Sequence, residues 1–182
     1  MNTGQMLLSV GAIVLLGATV LTVNRSSLQN GTILQQTQIG IYAISYAASI
    51  IQEASGKSFD QNTYENEIGT TASLSSTMGP ESGETTNPPT SDNFNDFDDY
   101  NYFWTHPKHD TVPGVDIFTT KCKVYYVTDA TPDVPSASKT WYKRMDVMVY
   151  GSGVADTGRR AMGIATGDTI KMSYVYSYFF FR

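Results

Sequence analysis

Three aspartates, Asp96, Asp98 and Asp99, stand close together in the run DNFNDFDDYNYFWTHPKHD at 92–110. Carboxylate oxygens on a loop are hard ligands, the kind that hold calcium. The run lacks the central glycine and closing glutamate of a helix–loop–helix calcium loop. It therefore reads as a solvated acidic loop with aromatics tucked beneath it. His106 and His109 follow, with Asp110 adjacent. On a helix that spacing would offer zinc two ligands, but Pro107 between them argues against a helix.

Other pairings that resemble catalytic machinery lack partners. Ser136 and Lys139 have the spacing of a hydrolase pair, but they lie in a Pro-flanked loop without companion motifs. Gly151–Ser152–Gly153 lacks the spacing of a nucleophile elbow, and no glycine-rich loop ends in Lys-Ser/Thr to cradle phosphate. Arg159–Arg160 reads as a solvated loop that could meet an acidic neighbour or a phosphate. The single cysteine, Cys122, excludes an intramolecular disulfide framework and any multi-cysteine metal site. It reads as a small buried hydrophobe. Two histidines leave little acid–base machinery. The expectation is a non-enzyme with no cofactor and no metal, Asp96, Asp98 and Asp99 being the candidates should a metal bind.

The elements behind these residues are legible as pattern. Val115–Thr128, Trp141–Tyr150 and Thr169–Phe181 alternate with period two and are rich in β-branched and aromatic residues. Phe118, Cys122, Val124 and Tyr126 share one face of the first. Trp141, Met145, Val147 and Val149 share one face of the second. Ile170, Met172, Tyr174, Tyr176, Tyr178 and Phe180 share one face of the third. Pro132 and Pro135 mark one connection and the glycine-rich stretch Gly151–Asp168 the other, so an antiparallel meander is the simplest topology. The terminal Phe179–Phe180–Phe181 puts aromatics on both faces, covered by the chain's own loops or by a subunit contact.

Residues 69–93 hold nineteen Ser, Thr, Gly, Pro or Asn among twenty-five, a composition that cannot bury a core and reads as a long surface loop.

The amino-terminal segment is of another kind. Met6–Val23 reads MLLSVGAIVLLGATVLTV without a charge and spans about 27 Å as a helix, close to the thickness of a bilayer core. It has no positive n-region and no good small-x-small cleavage site, so a conventional secretory signal fits poorly. Beyond Arg25 the pattern stays helical to about residue 54. The stripe Leu34, Ile41, Ala48 with Thr37, Ile44, Ile51 repeats at three and four residues. Leu34, Ile41, Ile44 and Ile51 are the predicted contacts from helix to sheet. Asn30–Gly31 is a point where the helix could break, and Gly56 a plausible stop. Sequons at Asn24 and Asn30 fall on this helix near the membrane, which argues against glycosylation there.

Gly4, then Gln5, then an apolar helix running on into an amphipathic half resembles the type IV pilins and their secretion-system pseudopilin relatives. The resemblance covers about the first 54 residues in pattern and the rest in architecture. It implies a leader at 1–4 cut between Gly4 and Gln5. It also implies an assembly helix carrying Met6, Leu7, Leu8, Val10, Ile13, Val14, Leu15, Leu16, Val20 and Leu21. That helix would sit in the inner membrane first and pack into a filament core later. Ser9 stands where the family usually carries a glutamate, and the leader has no basic residue. The implied partners are other copies of this chain, the inner membrane before assembly, and pilus or secretion assembly machinery. The implied location is the cell surface or an extracellular filament.

Charge is zoned. Residues 1–54 hold one base and one acid, 55–114 two bases and ten acids, and 115–182 nine bases and six acids. A net charge of −5 argues against nucleic acid as a partner. The predicted fold class is α+β: one long helix (5–54, membrane segment 6–23) packed on an antiparallel sheet (115–182). The acidic, loop-rich region 55–114 completes a head at 55–182. The functional expectation is a structural filament subunit with a role in cell adhesion. The alternative is a monomeric binding module tethered to the outer face of a membrane by an uncleaved anchor.

Overall fold

The computed structural model describes residues 2–64, 66–113, 116–151 and 169–179. Ser152–Asp168 with Arg159–Arg160, and the terminal Phe180–Phe181, lie outside the described residues. Helix α1 runs unbroken from Thr3 to Ser55, 53 residues, or about 80 Å. It starts two residues before the expected position and passes through Asn30–Gly31 intact. No proline occurs before Pro80, and one interior glycine costs only about 1 kcal/mol. The helix ends as Gly56 and Lys57 donate their N–H groups to the carbonyls of Glu53 and Ala54, at 3.2 and 3.1 Å.

Four antiparallel strands follow in spatial order: β1 (Lys108–Val112), β2 (Asp116–Val127), β3 (Tyr142–Gly151) and β4 (Thr169–Ser177). The fold is α+β, and the last three strands form the expected meander. Cys122 stands opposite Val147, and Val147 opposite Met172. Strand β1 was not expected. Its sequence KHDTV has no apolar alternation, and it is a strand because β2 supplies its ladder. Two short helices, α2 (Gln61–Tyr64) and α3 (Tyr102–Thr105), and a 3₁₀ turn at Asp98–Asn101 lie between α1 and the sheet in sequence.

One face of the sheet is covered. Phe118, Cys122 and Val124 of β2, Met145, Val147 and Val149 of β3, and Tyr176 of β4 are buried there. From α1 the buried residues are Ile39, Ala43, Ala47, Ile50 and Ala54. This corrects the predicted contact stripe. Leu34, Ile41 and Ile44 are exposed, at 71, 59 and 49 %, whereas Ile51 is half-buried and packs against the core as expected. The reason is steric. Three alanines let the helix axis approach the sheet, and the bulkier isoleucine stripe is rotated outward. Every residue from Asn2 to Gln38 whose side chain is described is exposed, so α1 engages the head only from about Ile39.

Residues 56–105 cover the rest of that face. Phe59, Phe94, Phe97, Tyr100 and Phe103 join the core, with Phe97 5.0 Å from Tyr176 and Phe94 5.2 Å from Tyr100 between ring centres. The 69–93 segment is a loop, but contrary to expectation it contributes to the core: Leu74 is buried and Met78 packs against the cluster. Asn101 Nδ2 donates to the Met78 carbonyl, and Asn62 Nδ2 to that of Ser73.

Candidate functional site

Two features of the structure bear on function: a buried charged cluster in the head, and the exposed apolar length of α1.

The cluster centres on Lys143. Alternation places it on the inner face of β3 with Met145 and Val147, and its side chain is fully buried. Its ammonium donates to the Phe59 carbonyl at 2.8 Å, to Asp60 Oδ1 at 2.9 Å, and to Asp98 Oδ1. The Phe59 and Tyr126 rings lie 4.7 and 5.4 Å from it, a favourable setting for a cation. All three donors of the lysine are used, as burial of a charge requires.

The aspartates are buried, not solvated as the sequence reading had it. Asp60, Asp96, Asp98 and Asp99 are each at most 1 % exposed. Their backbone surroundings explain how. Asp96 Oδ1 accepts the N–H groups of Asp98 (2.8 Å) and Asp99 (3.2 Å). Asp99 Oδ2 accepts those of Asn95 (2.8 Å) and Asp96 (3.0 Å). The two carboxylates three residues apart satisfy donors reciprocally, as in a capping box. Asp60 accepts from Ser75 N–H (2.8 Å) and Ser75 Oγ (3.0 Å), tying down the 69–93 loop. Asp98 Oδ2 accepts the N–H of buried Gly79 at 3.4 Å. Gly79 has φ +135°, a conformation that a residue with a Cβ rarely adopts.

Carboxylates outnumber cations here, and proton affinity shifts accordingly. Burial, with Asp98 and Asp99 beside it, pushes Asp96 up to about 9. Burial and the neighbouring Glu84 raise Glu81 to about 7. Burial also raises Asp99 to about 6, against the N–H bonds it accepts, and raises Asp98 despite Lys143. For Asp60 burial acts upward too, but the Lys143 charge and the Ser75 bonds outweigh it and hold the carboxyl below its usual value.

These shifts set the pH dependence of stability. In the unfolded chain such carboxyls titrate near about 4. Between that value and about 9 the folded head holds protons that the unfolded chain has released. The stabilisation from the raised groups is complete below the unfolded value and lost as pH rises through the folded ones. Asp60 has the opposite sign, its contribution being lost as pH falls below the usual carboxylate range. With divalent cations chelated, the melting temperature should fall from about pH 5 to about pH 9. A profile that is flat or rises over that interval would contradict the assignment.

The other residues singled out in sequence are not brought together. His106 lies just past α3, stacked on Tyr102 at 4.3 Å and bonded to Thr105 Oγ1. His109 is on β1, bonded to Thr119 Oγ1 at 3.0 Å. Ser136 Oγ donates to the Ser138 carbonyl, while Lys139 Nζ donates to that of Leu74. Cys122 is buried as expected, and burial pushes its thiol up. A polar depression of about 540 Å³ is lined, among the described residues, by Gln61, Asn62, Tyr64, Asn66 and Asn95.

The second feature is the front of α1. Thr3–Gly31 is long and apolar enough to cross a membrane, and none of it is covered by the head. Met6, Leu7, Leu8, Val10, Ile13, Val14, Leu15, Leu16, Val20 and Leu21 are between 54 and 76 % exposed. Three of its hydroxyls are satisfied within the helix. Ser9 Oγ donates to the Gln5 carbonyl at 3.0 Å, Thr19 to Leu15 at 2.8 Å, and Thr22 to Ala18 at 2.9 Å. Such back-bonding lets hydroxyls enter an apolar medium. Gly11 and Ala18 leave a shallow groove between Val14, Leu15, Thr19 and Thr22, a shape that admits a second helix closely. Gly4 and Gln5 lie within the first turns of α1. Comparison of the chain with protein-family models, with curated proteins and with solved structures finds no match.

Proposed function

We propose that the chain is a structural subunit of a pilin-like filament, type IV pilus-like or a secretion pseudopilus. It would be held in the inner membrane by the front of α1 and then assembled through that helix on the cell surface or into a secretion apparatus. The observation that carries the reading is that α1 is a single helix. Its apolar front is uncovered, while its last turns are the core element of a sheet-bearing head. Apolar side chains also continue outward past the membrane-length segment, at Ile33, Leu34, Ile41 and Ile44. A bare membrane anchor has no use for them, whereas helices bundled with copies of themselves bury such a stripe. No enzymatic activity is proposed.

The test is the intact mass and amino-terminal peptide of native protein sheared from the cell surface. The expected result is a chain beginning at Gln5, or at the pyroglutamate formed from it, in a high-molecular-weight fraction. A chain that begins at Met1, is confined to membranes and is monomeric after extraction would reject the filament and favour a tethered binding module.

A further inference from the structure

We propose that Glu81, Glu84 and Asp99 form a calcium site that clips the 69–93 loop to the 3₁₀ turn at Asp98–Asn101. One carboxylate oxygen from each lies within 4.8 Å of the others. The independent observation is what Asp99 leaves unsatisfied. Its side chain is fully buried, yet only Oδ2 is engaged, by the N–H groups of Asn95 and Asp96. Oδ1 is buried without a donor, and Glu81 Oε2 is in the same condition. The amide oxygen Asn95 Oδ1 is also buried and unpartnered, on a residue bonded to both Glu84 and Asp99.

Nearby donors are already committed. Glu84 Oε2 takes the Glu81 N–H at 2.7 Å, and Glu84 Oε1 takes Asn95 Nδ2. These bonds hold the carboxylates in place before any ion arrives. A buried acceptor without a donor is unfavourable, and one cation relieves several at once.

The donor set is all oxygen, which selects a hard cation. Calcium–oxygen distances are about 2.3–2.6 Å, so ligands across one ion stand up to about 5 Å apart, as here. Magnesium demands shorter bonds in a regular octahedron, which this irregular loop does not offer. Glu81 and Glu84 are only half-buried, so water can complete the shell and the ion can enter. The site is independent of the filament reading.

The experiment uses the full chain in detergent micelles, stripped with chelator and titrated with calcium chloride by calorimetry and thermal melting. The expected result is one site with Kd on the order of 10⁻⁴ to 10⁻³ M or tighter, and a melting temperature raised by calcium. The paired variant Glu81→Gln with Glu84→Gln should weaken binding by about tenfold or more. In the unmodified chain, calcium should also slow proteolysis within 69–93, which locates the site without any variant. Absence of heat and of a melting shift at millimolar calcium would overturn the proposal. So would calcium binding that leaves the loop unprotected, or equal binding by a paired variant of unchanged circular dichroism.

Discussion

Replacing Lys143 with methionine is expected to destabilise the head by about 3–5 kcal/mol. Methionine fits the volume, so the loss is electrostatic. The Phe59 carbonyl, Asp60 and Asp98 each lose a donor, inside a cluster that holds no second cation in contact with them among the described residues. Asp98 can take up a proton and so limit the damage. Asp60 keeps its bonds from Ser75 but loses the charge that keeps it ionised. The measurement is denaturant unfolding of the full chain in micelles, followed by the near-ultraviolet signal of its aromatic core. Adding Asp60→Asn and Asp98→Asn to the lysine variant should recover much of the loss, because the stranded carboxylates are then neutral. A single-variant loss under about 1 kcal/mol would mean that the cluster is a passenger.

The second large effect concerns assembly. On the proposed filament reading, Val14→Asp should reduce the sheared surface fraction by about a hundredfold or more. An aspartate at the centre of a membrane helix costs about 2.5–3.5 kcal/mol, and a packed core of helices would bury it without a partner. Leu15 is an equivalent position. Val134→Asp, at an exposed head position, is the control and should leave assembly unchanged. Intact filaments from the Val14→Asp chain would count directly against the reading.

The parts of this fold that depend on local repetition were readable in the sequence. The three long strands declare themselves by alternation, and the buried faces at Phe118, Cys122 and Val124 and at Met145, Val147 and Val149 follow from it. The long helix follows from apolar content and the absence of proline. Its orientation on the sheet did not, because stripes of large residues mark apolar surface without saying which neighbour covers it. Close approach is marked by small residues, and Ala43, Ala47 and Ala54 carried that signal.

The charged cluster was hidden for another reason. Lys143 reaches Asp98 across 45 residues and Asp60 across 83, and no local pattern records pairings of that range. Reading Lys143 strictly by the alternation of β3 would have placed it inside and raised the question of its counter-ions. Likewise the Asp96–Asp99 spacing is a capping signature, so two of the acids first read as solvated had a stated reason to turn inward. Strand β1 had no such signal, since its partner alone makes it a strand.

Because the last turns of α1 are the centre of the head's core, a pull along the helix axis does not meet a linker first. It loads Ala43, Ala47, Ile50 and Ala54 against β3 and β4 in shear, parallel to a broad interface. Resistance is shared along that whole length instead of falling on contacts that open one after another. Tyr100 adds a lateral tie, its hydroxyl donating to Glu53 Oε1 at 2.8 Å in the final turn. The head therefore grips its own shaft, and tension on the helix reaches the sheet without an intervening hinge.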